Sequence, residues 1–179
     1  MRIVSGIHKG KRLTAPKKLP VRPTTDFAKE ALFNILNNHY HFSELQVLDL
    51  FSGTGNISYE FGSRGAEAIT AVDAHLDCVR FINKTSEDLD LPISTVKSDV
   101  LKFLSGTTNA VDIIFADPPY NFEAETLQKM VDLTFERNLL KEDGVLIIEH
   151  SKKIDLSSLE HFSESRKYGN SVFSFFYLR

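Results

Sequence analysis

The stretch Val47-Leu48-Asp49-Leu50-Phe51-Ser52-Gly53-Thr54-Gly55-Asn56-Ile57 does most to limit what this chain can fold into. An apolar run with strand character meets two closely spaced glycines and passes directly into a helical pattern. Gly53 and Gly55 permit a tight turn and close backbone approach to a ligand at the carboxyl end of the strand, the usual binding place in an open α/β sheet. The rest of the chain repeats the alternation. Strand patterns near 46–51, 68–73, 93–97, 111–117 and 143–149 are separated by helical patterns at 56–63, 75–89, 99–105 and 123–137. Such alternation predicts an α/β fold with a mostly parallel, doubly wound sheet and right-handed crossovers. A helix precedes it, capped by Thr24 or Thr25, with Asp26 in its first turn and Phe27, Ala31, Leu32, Ile35 and Leu36 on one stripe. At the far end Leu159 to Lys167 and Ser171 to Leu178 flank Tyr168-Gly169-Asn170 with no helix between them, which predicts a terminal antiparallel hairpin whose Phe173, Phe175, Phe176 and Tyr177 serve the core.

The glycine loop has several possible ligands. A nicotinamide dinucleotide would want glycine where Ser58 stands, and Asp49 would face its pyrophosphate with like charge; a Walker phosphate loop fails because no Gly-Lys-Ser/Thr follows. S-adenosylmethionine lacks phosphate and carries a positive sulfonium, so an acidic loop containing Asp49 suits it. Beyond the loop, Ala71-Val72-Asp73 ends a second apolar run in an acid placed to bond ribose hydroxyls.

Asp117-Pro118-Pro119-Tyr120, directly after the apolar run Val111–Ala116, adds a reaction. An amino group on a flat ring is a poor nucleophile because its lone pair is delocalised. Asp117 can accept one N–H bond and the Pro118 carbonyl the other, favouring a pyramidal amine as it attacks a methyl group, while Tyr120 offers a stacking face. Pro118 and Pro119 stiffen the backbone and bias Asp117 toward an extended conformation. A strand followed by a proline-rich turn would look the same, so the order of loop, Asp73 and tetrad carries the argument.

The net charge of −3 conceals an asymmetry. Through Arg22 there are seven basic side chains (Arg2, Lys9, Lys11, Arg12, Lys17, Lys18, Arg22) and no carboxylate; the remainder has 14 basic against 24 acidic residues, a net −10. We therefore divide the chain into a basic arm, 1–22, and a catalytic domain, 23–179. The arm should meet a polyanion, with Met1–Ser5 and Lys11–Thr14 pairing as a small β-hairpin that presents Lys9, Lys11 and Arg12 to phosphates. Ile3, Val4, Ile7 and Leu13 argue for ordered packing over a solvated tail. Cys78 stands alone, the six histidines lack ligand spacing, and no metal is expected. No apolar run approaches the ~18 residues of a membrane span, so a cytoplasmic protein without membrane contact is expected.

These residues resemble the class I S-adenosylmethionine-dependent methyltransferases, and more closely the bacterial RsmD family. The resemblance runs from Met1-Arg2-Ile3-Val4-Ser5-Gly6 and Gly10-Lys11-Arg12-Leu13 through Arg22-Pro23-Thr24-Thr25-Asp26 and Lys29-Glu30-Ala31-Leu32-Phe33-Asn34. It continues through Asp49–Gly55, Ser63-Arg64-Gly65-Ala66, Asp73, Ser98-Asp99 and the tetrad, and so covers nearly the whole chain. It implies a Rossmann-like fold and methyl transfer to guanine N2 in 16S ribosomal RNA, on a partly assembled small subunit, by a monomer. It also implies roles: Gly53, Thr54 and Gly55 at the methionine moiety, Asp73 at the ribose, Asp99 and Val100 at the adenine. Arg22, Thr24 and Thr25 would lie near the methionine carboxylate or the flipped nucleotide. Asp99 reads equally as a helix N-cap, and both can hold.

Three rivals share parts of this pattern. A DNA adenine-N6 methyltransferase would use the same tetrad but generally carries a sizeable target-recognition region. A protein glutamine amide methyltransferase is chemically possible and is disfavoured by the basic arm. A non-enzymatic RNA-binding module would not need the cofactor loop and tetrad together.

Overall fold

The computed structural model describes residues 1–21 and 24–178. Arg22, expected at the substrate, lies outside them. Helix α1 (Asp26–Asn37) leads, followed after a short 3₁₀ turn by β1 (Gln46–Leu50), α2 (Asn56–Ser63), β2 (Ala68–Asp73), α3 (Leu76–Asp88) and β3 (Ile93–Lys97). Then come α4 (Val100–Gly106), β4 (Val111–Ala116), α5 (Ala124–Glu136), β5 (Leu140–Ser151), β6 (Phe162–Tyr168) and β7 (Ser171–Tyr177). The strand order is β3-β2-β1-β4-β5-β7-β6; the first five strands are parallel, and β7 is antiparallel to both its neighbours. The expected doubly wound sheet with a terminal hairpin is what forms. Chain direction across the sheet reverses between β1 and β4, which opens a crevice at their carboxyl ends.

Alternation along the strands divides the core. Val47, Ile113, Phe115, Val145, Ile147, Phe173 and Phe175 face α1 and α2, whereas Leu48, Leu50, Ile114, Ala116, Leu146, Ile148 and Phe176 face α4 and α5. Five parallel strands buried on both faces account for the nearly continuous apolar runs in the sequence. β5 is longer than the 143–149 pattern predicts because Leu140 already pairs with Val111 before a shift in register.

Two expectations about apolar faces need correction. α1 buries Ala28, Lys29, Leu32, Phe33 and Leu36, while Phe27 is 68% exposed and Ala31 only partly covered. The Phe27 side chain turns to the crevice, while Ala28 and Lys29 in the same turn face inward. In the arm, Ile3 is buried with Tyr59, Ile82 and Leu89, but Ile7 is 77% exposed.

The arm is a loop closed at its base rather than two full strands. Arg2 and Arg12 form a single antiparallel bridge, flanked by bonds from Ile3 N–H to the Lys11 carbonyl (2.9 Å) and from Leu13 N–H to the Met1 carbonyl (2.9 Å). It is fastened to α2. Val4 and Ser5 N–H groups donate to the Glu60 carboxylate (2.9 and 3.1 Å), and Ile7 N–H donates to the Ser63 carbonyl (2.8 Å). Gly6 is essential at this contact: a Cβ would stand 1.8 Å from the Ser63 carbonyl oxygen, and φ is +85°. Beneath lies a buried ion pair, Lys29 Nζ to Glu60 Oε2 at 3.4 Å, with Lys29 also donating to the Arg2 carbonyl and to Asn56 Oδ1 (2.9 Å). Arg64 closes the other side of Glu60 at 2.9 Å.

Candidate active site

A cavity of about 600 Å³ opens at the carboxyl ends of the strands, where the sheet order reverses. Its walls include Thr24, Asp49, Gly53, Thr54, Asp73, Asp99, Val100 and the whole Asp117–Tyr120 tetrad. The residues singled out in the sequence thus come from five separate segments into one chamber. Lys9, Lys11 and Arg12 are exposed outside it. A second, polar cleft joins the two regions, lined by Arg2, Arg12 and Asp26 and sharing Thr24 and Thr25 with the first.

The glycine loop is held by specific bonds. Asp73 Oδ2 accepts from Gly53 N–H (2.9 Å) and Oδ1 from His75 N–H (2.9 Å), which fixes the carboxylate at the wall while each oxygen keeps a further lone pair. Gly53 has φ +54°, and a Cβ there would come within 3.1 Å of Val21, so glycine lets the segment before α1 cover the loop. Gly55, expected at the methionine moiety, is not on the cavity wall. It begins α2 at φ +84°, where a Cβ would press 2.6 Å from the Tyr59 ring. Phe51 also has positive φ (54°), an uncommon conformation for an aromatic residue, and its ring meets Phe122 edge-on at 5.4 Å.

Asp99 is the N-cap that one reading expects. Its side chain caps α4 by accepting from Lys102 N–H at 2.9 Å, and it also lines the cavity beside Val100. Thr25 is the cap of α1, accepting from Ala28 N–H at 3.2 Å. Thr24, freed from capping, turns to the cavity wall instead, where its hydroxyl donates to Glu149 Oε2 at 2.9 Å.

Glu149 is the residue that the sequence patterns did not single out. It is 3% exposed, stands near the end of β5 and lines the same cavity. Asp49, Asp117 and Glu149 come from β1, from just beyond β4 and from β5, which are neighbours in the sheet, and all three fall on its α1 side by the alternation of the strands. Burial raises the Asp49 carboxyl to about 7; the Ser58 hydroxyl, donating at 2.6 Å, opposes the rise and nearby Asp73 adds to it. Burial likewise holds Asp117 well above the usual carboxylate range, with Glu149 and Asp49 reinforcing the effect and Thr24 opposing it. A buried acidic cluster repels phosphate and welcomes a cation.

Tyr120 is half exposed at the rim of the cavity, and Phe27 is exposed there too, its ring touching Tyr168 edge-on at 6.0 Å. Two exposed aromatic rings therefore line the cavity. Among the described residues no group of three or more His, Cys, Asp or Glu is arranged to hold a metal, and no helix is long and apolar enough to cross a membrane.

A seven-stranded sheet of this order, with a loop-bound cavity at the β1/β4 reversal, has the class I methyltransferase fold. The chain belongs to the family described as Conserved hypothetical protein 95, which matches residues 1–177, and this bears out the resemblance to RsmD proteins. The putative rRNA methyltransferase YlbH of Bacillus subtilis is 32% identical, covering 87% of this chain and 85% of its own. The ribosomal RNA small subunit methyltransferase D of Haemophilus influenzae is 28% identical over 98% of this chain and 91% of its own. Among solved structures, the Thermus thermophilus 16S rRNA N2-guanine methyltransferase RsmC, in complex with AdoMet and guanosine, superposes with a TM-score of 0.71. It is 23% identical, covering 90% of this chain and 45% of its own, and so speaks for the fold.

Proposed function

We infer that this protein transfers the methyl group of S-adenosylmethionine to the exocyclic N2 amine of a guanine in 16S ribosomal RNA. The observation that carries this reading is the sharing of one cavity by the Asp117–Tyr120 tetrad, the Gly53 loop and Asp73. Relatives named as a putative rRNA methyltransferase and as a ribosomal RNA small subunit methyltransferase support the RNA target.

The cavity fits the cofactor in charge and shape. Buried Asp49 suits a sulfonium and would repel pyrophosphate, Gly53 and Thr54 offer close backbone approach, and Asp73 and Asp99 present acceptors to hydroxyl and amino groups. When bound, S-adenosylmethionine supplies an electrophilic methyl group and leaves as the neutral thioether. Asp117 and the Pro118 carbonyl accept the two N2–H bonds and turn the amine lone pair toward that methyl, and Tyr120 stacks on the base. With the methyl passed from sulfur to N2, Asp117 or water would take the proton released by the methylated amine. Asp117 need not be a strong base beforehand, because methylation makes the amine acidic. Positioning and polarisation supply most of the rate.

The arm binds RNA phosphates through Lys9, Lys11 and Arg12, the substrate is a partly assembled small subunit, and the enzyme works as a monomer in the cytoplasm. Methyl transfer from labelled cofactor to RNA, DNA and protein fractions, followed by nucleoside analysis, tests the reading. N2-methylguanosine in 16S RNA is expected. N6-methyladenosine in DNA, or label on a protein glutamine, would replace it with a rival.

A further inference from the structure

The cavity extends past the tetrad on the side away from the cofactor's proposed contacts. Taken in the order of the strands, Asp99 follows β3, Asp73 ends β2, Gly53 follows β1 and the tetrad follows β4, so those contacts all lie on one side of the reacting amine. On the other side the wall continues beyond β5 to Tyr168, Gly169, Asn170 and Ser171 at the β6–β7 turn. Phe27, in the first turn of α1, meets the Tyr168 ring there edge-on at 6.0 Å. Tyr168 is backed by Phe173 at 5.9 Å, whereas Phe27 is 68% exposed and keeps most of its ring open. A lone exposed phenylalanine on a protein surface calls for no explanation. One braced on a cavity wall, across the tetrad from the cofactor's contacts, has a flat ligand to meet.

Position and charge say which ligand. Neighbouring strands lie about 4.8 Å apart, so Tyr168 on β6 stands three strands, roughly 14 Å, across the sheet from the strand that leads to the tetrad. Such a separation suits a nucleotide adjoining the target rather than the atom that is methylated. The approach carries matching charge: the polar cleft that shares Thr24 and Thr25 with the cavity is lined by Arg2 and Arg12, which face one another across an antiparallel bridge. Like charges placed opposite one another in this way cost stability, and a phosphate backbone passing between arm and cavity would offset that cost. We propose that Phe27 stacks on the base of a nucleotide directly next to the target guanosine in the RNA strand, with Tyr168 as its brace. Every base has a π-face, so this contact sets where the strand lies and does not read its sequence. The proposal rests on the guanine-N2 reading above and adds to it the register in which the strand is held.

The test uses 16S RNA carrying an abasic ribose on the 5′ or the 3′ side of the methylated guanosine, once that nucleoside is located. The wild-type enzyme should lose about 5- to 150-fold in kcat/KM on one of the two, the range of one base–aromatic stack, and mainly through KM. Phe27→Ala should lose the same factor on intact RNA and nothing further on that abasic RNA. Phe27→Trp should retain the rate on intact RNA; Phe27→Leu, apolar but without a π-face, should not. Because the side chain is mostly exposed, melting temperature and S-adenosylhomocysteine affinity should hardly change, and they serve as controls for folding. A loss from Phe27→Ala that persists undiminished on both abasic RNAs would mean that the ring serves the target base or the protein itself, and would overturn the proposal. Should the variant not fold, wild-type rates unaffected by either abasic site would overturn it equally. Label found on adenine or on protein would defeat the guanine reading itself, a different failure from N2-methylguanosine formed at a rate indifferent to its neighbours.

Discussion

The cavity and the arm solve opposite electrostatic problems. In the cavity, carboxyls are buried together and their proton affinity rises; in the arm, cations stand exposed, with Asp26 lying 3.6 Å from Arg2. The first can distinguish small ligands because little water remains to mask an unmatched charge. The second can attract a polyanion from a distance and tell little about its sequence. Between them runs the buried Lys29–Glu60 pair, which belongs to neither surface and holds both in place.

The largest effect should come from that join. Lys29→Ala leaves buried Glu60 with the Arg64 cation and the Val4 and Ser5 amides, and breaking a buried pair of this kind costs roughly 3–5 kcal/mol. Denaturant unfolding would measure it, and a loss under about 1 kcal/mol would mean that water or Arg64 replaces the lysine. Next is Asp117→Ala, which should cut methyl transfer by on the order of 100-fold or more while leaving S-adenosylhomocysteine binding nearly intact. Near-normal turnover would remove the tetrad from the chemistry. Tyr120→Phe should keep much of the activity, and Tyr120→Ala should not.

Replacing Lys9, Lys11 and Arg12 together by alanine should weaken RNA binding and lower the log–log salt slope by roughly 0.7 to 0.9 per lost phosphate contact. Cofactor affinity should not change, since none of the three lines the cavity. An unaltered salt slope would place RNA recognition elsewhere. The smallest effect is on the dependence of stability on pH. An unfolded aspartate titrates at about 4 and folded Asp49 at about 7, so between these values the folded state holds the extra proton. Stability from this group is complete below the lower value and is lost as pH rises through the upper one. The stability of Asp49→Asn relative to the wild type should therefore improve over that window, by no more than about 1.4 kcal/mol per pH unit. A pH-independent difference in thermal melting would show that Asp49 is ionised throughout.

Sequence patterns revealed the elements that follow from local rules. The strand–glycine–helix passage, the Asp99 cap and the alternating strands fall where periodicity and capping put them. What they concealed depends on partners far along the chain. Lys29 reads as a surface lysine until Glu60, 31 positions on, is seen beneath it. Phe27 reads as core because it keeps helical spacing with Ala31, yet it stands on the cavity wall, mostly exposed, with only its edge against Tyr168 of β6. Glu149 did leave a trace: Ile147-Ile148-Glu149 repeats the apolar-apolar-acid ending of Val47-Leu48-Asp49 and Phe115-Ala116-Asp117. Only strand order makes the three endings neighbours.

Fastening the arm to α2 has a geometric consequence. Gly6 pressed on the Ser63 carbonyl and two arm amides tied to Glu60 fix the arm's position against α2. The helix that carries it begins at the glycine loop, so the tip proposed to bind phosphates and the proposed methyl-transfer point share one mount. If the arm binds RNA as proposed, such a mount would work as a calliper: it would accept a nucleotide at a set offset from a docked stretch of backbone and pass over an identical nucleotide at any other offset.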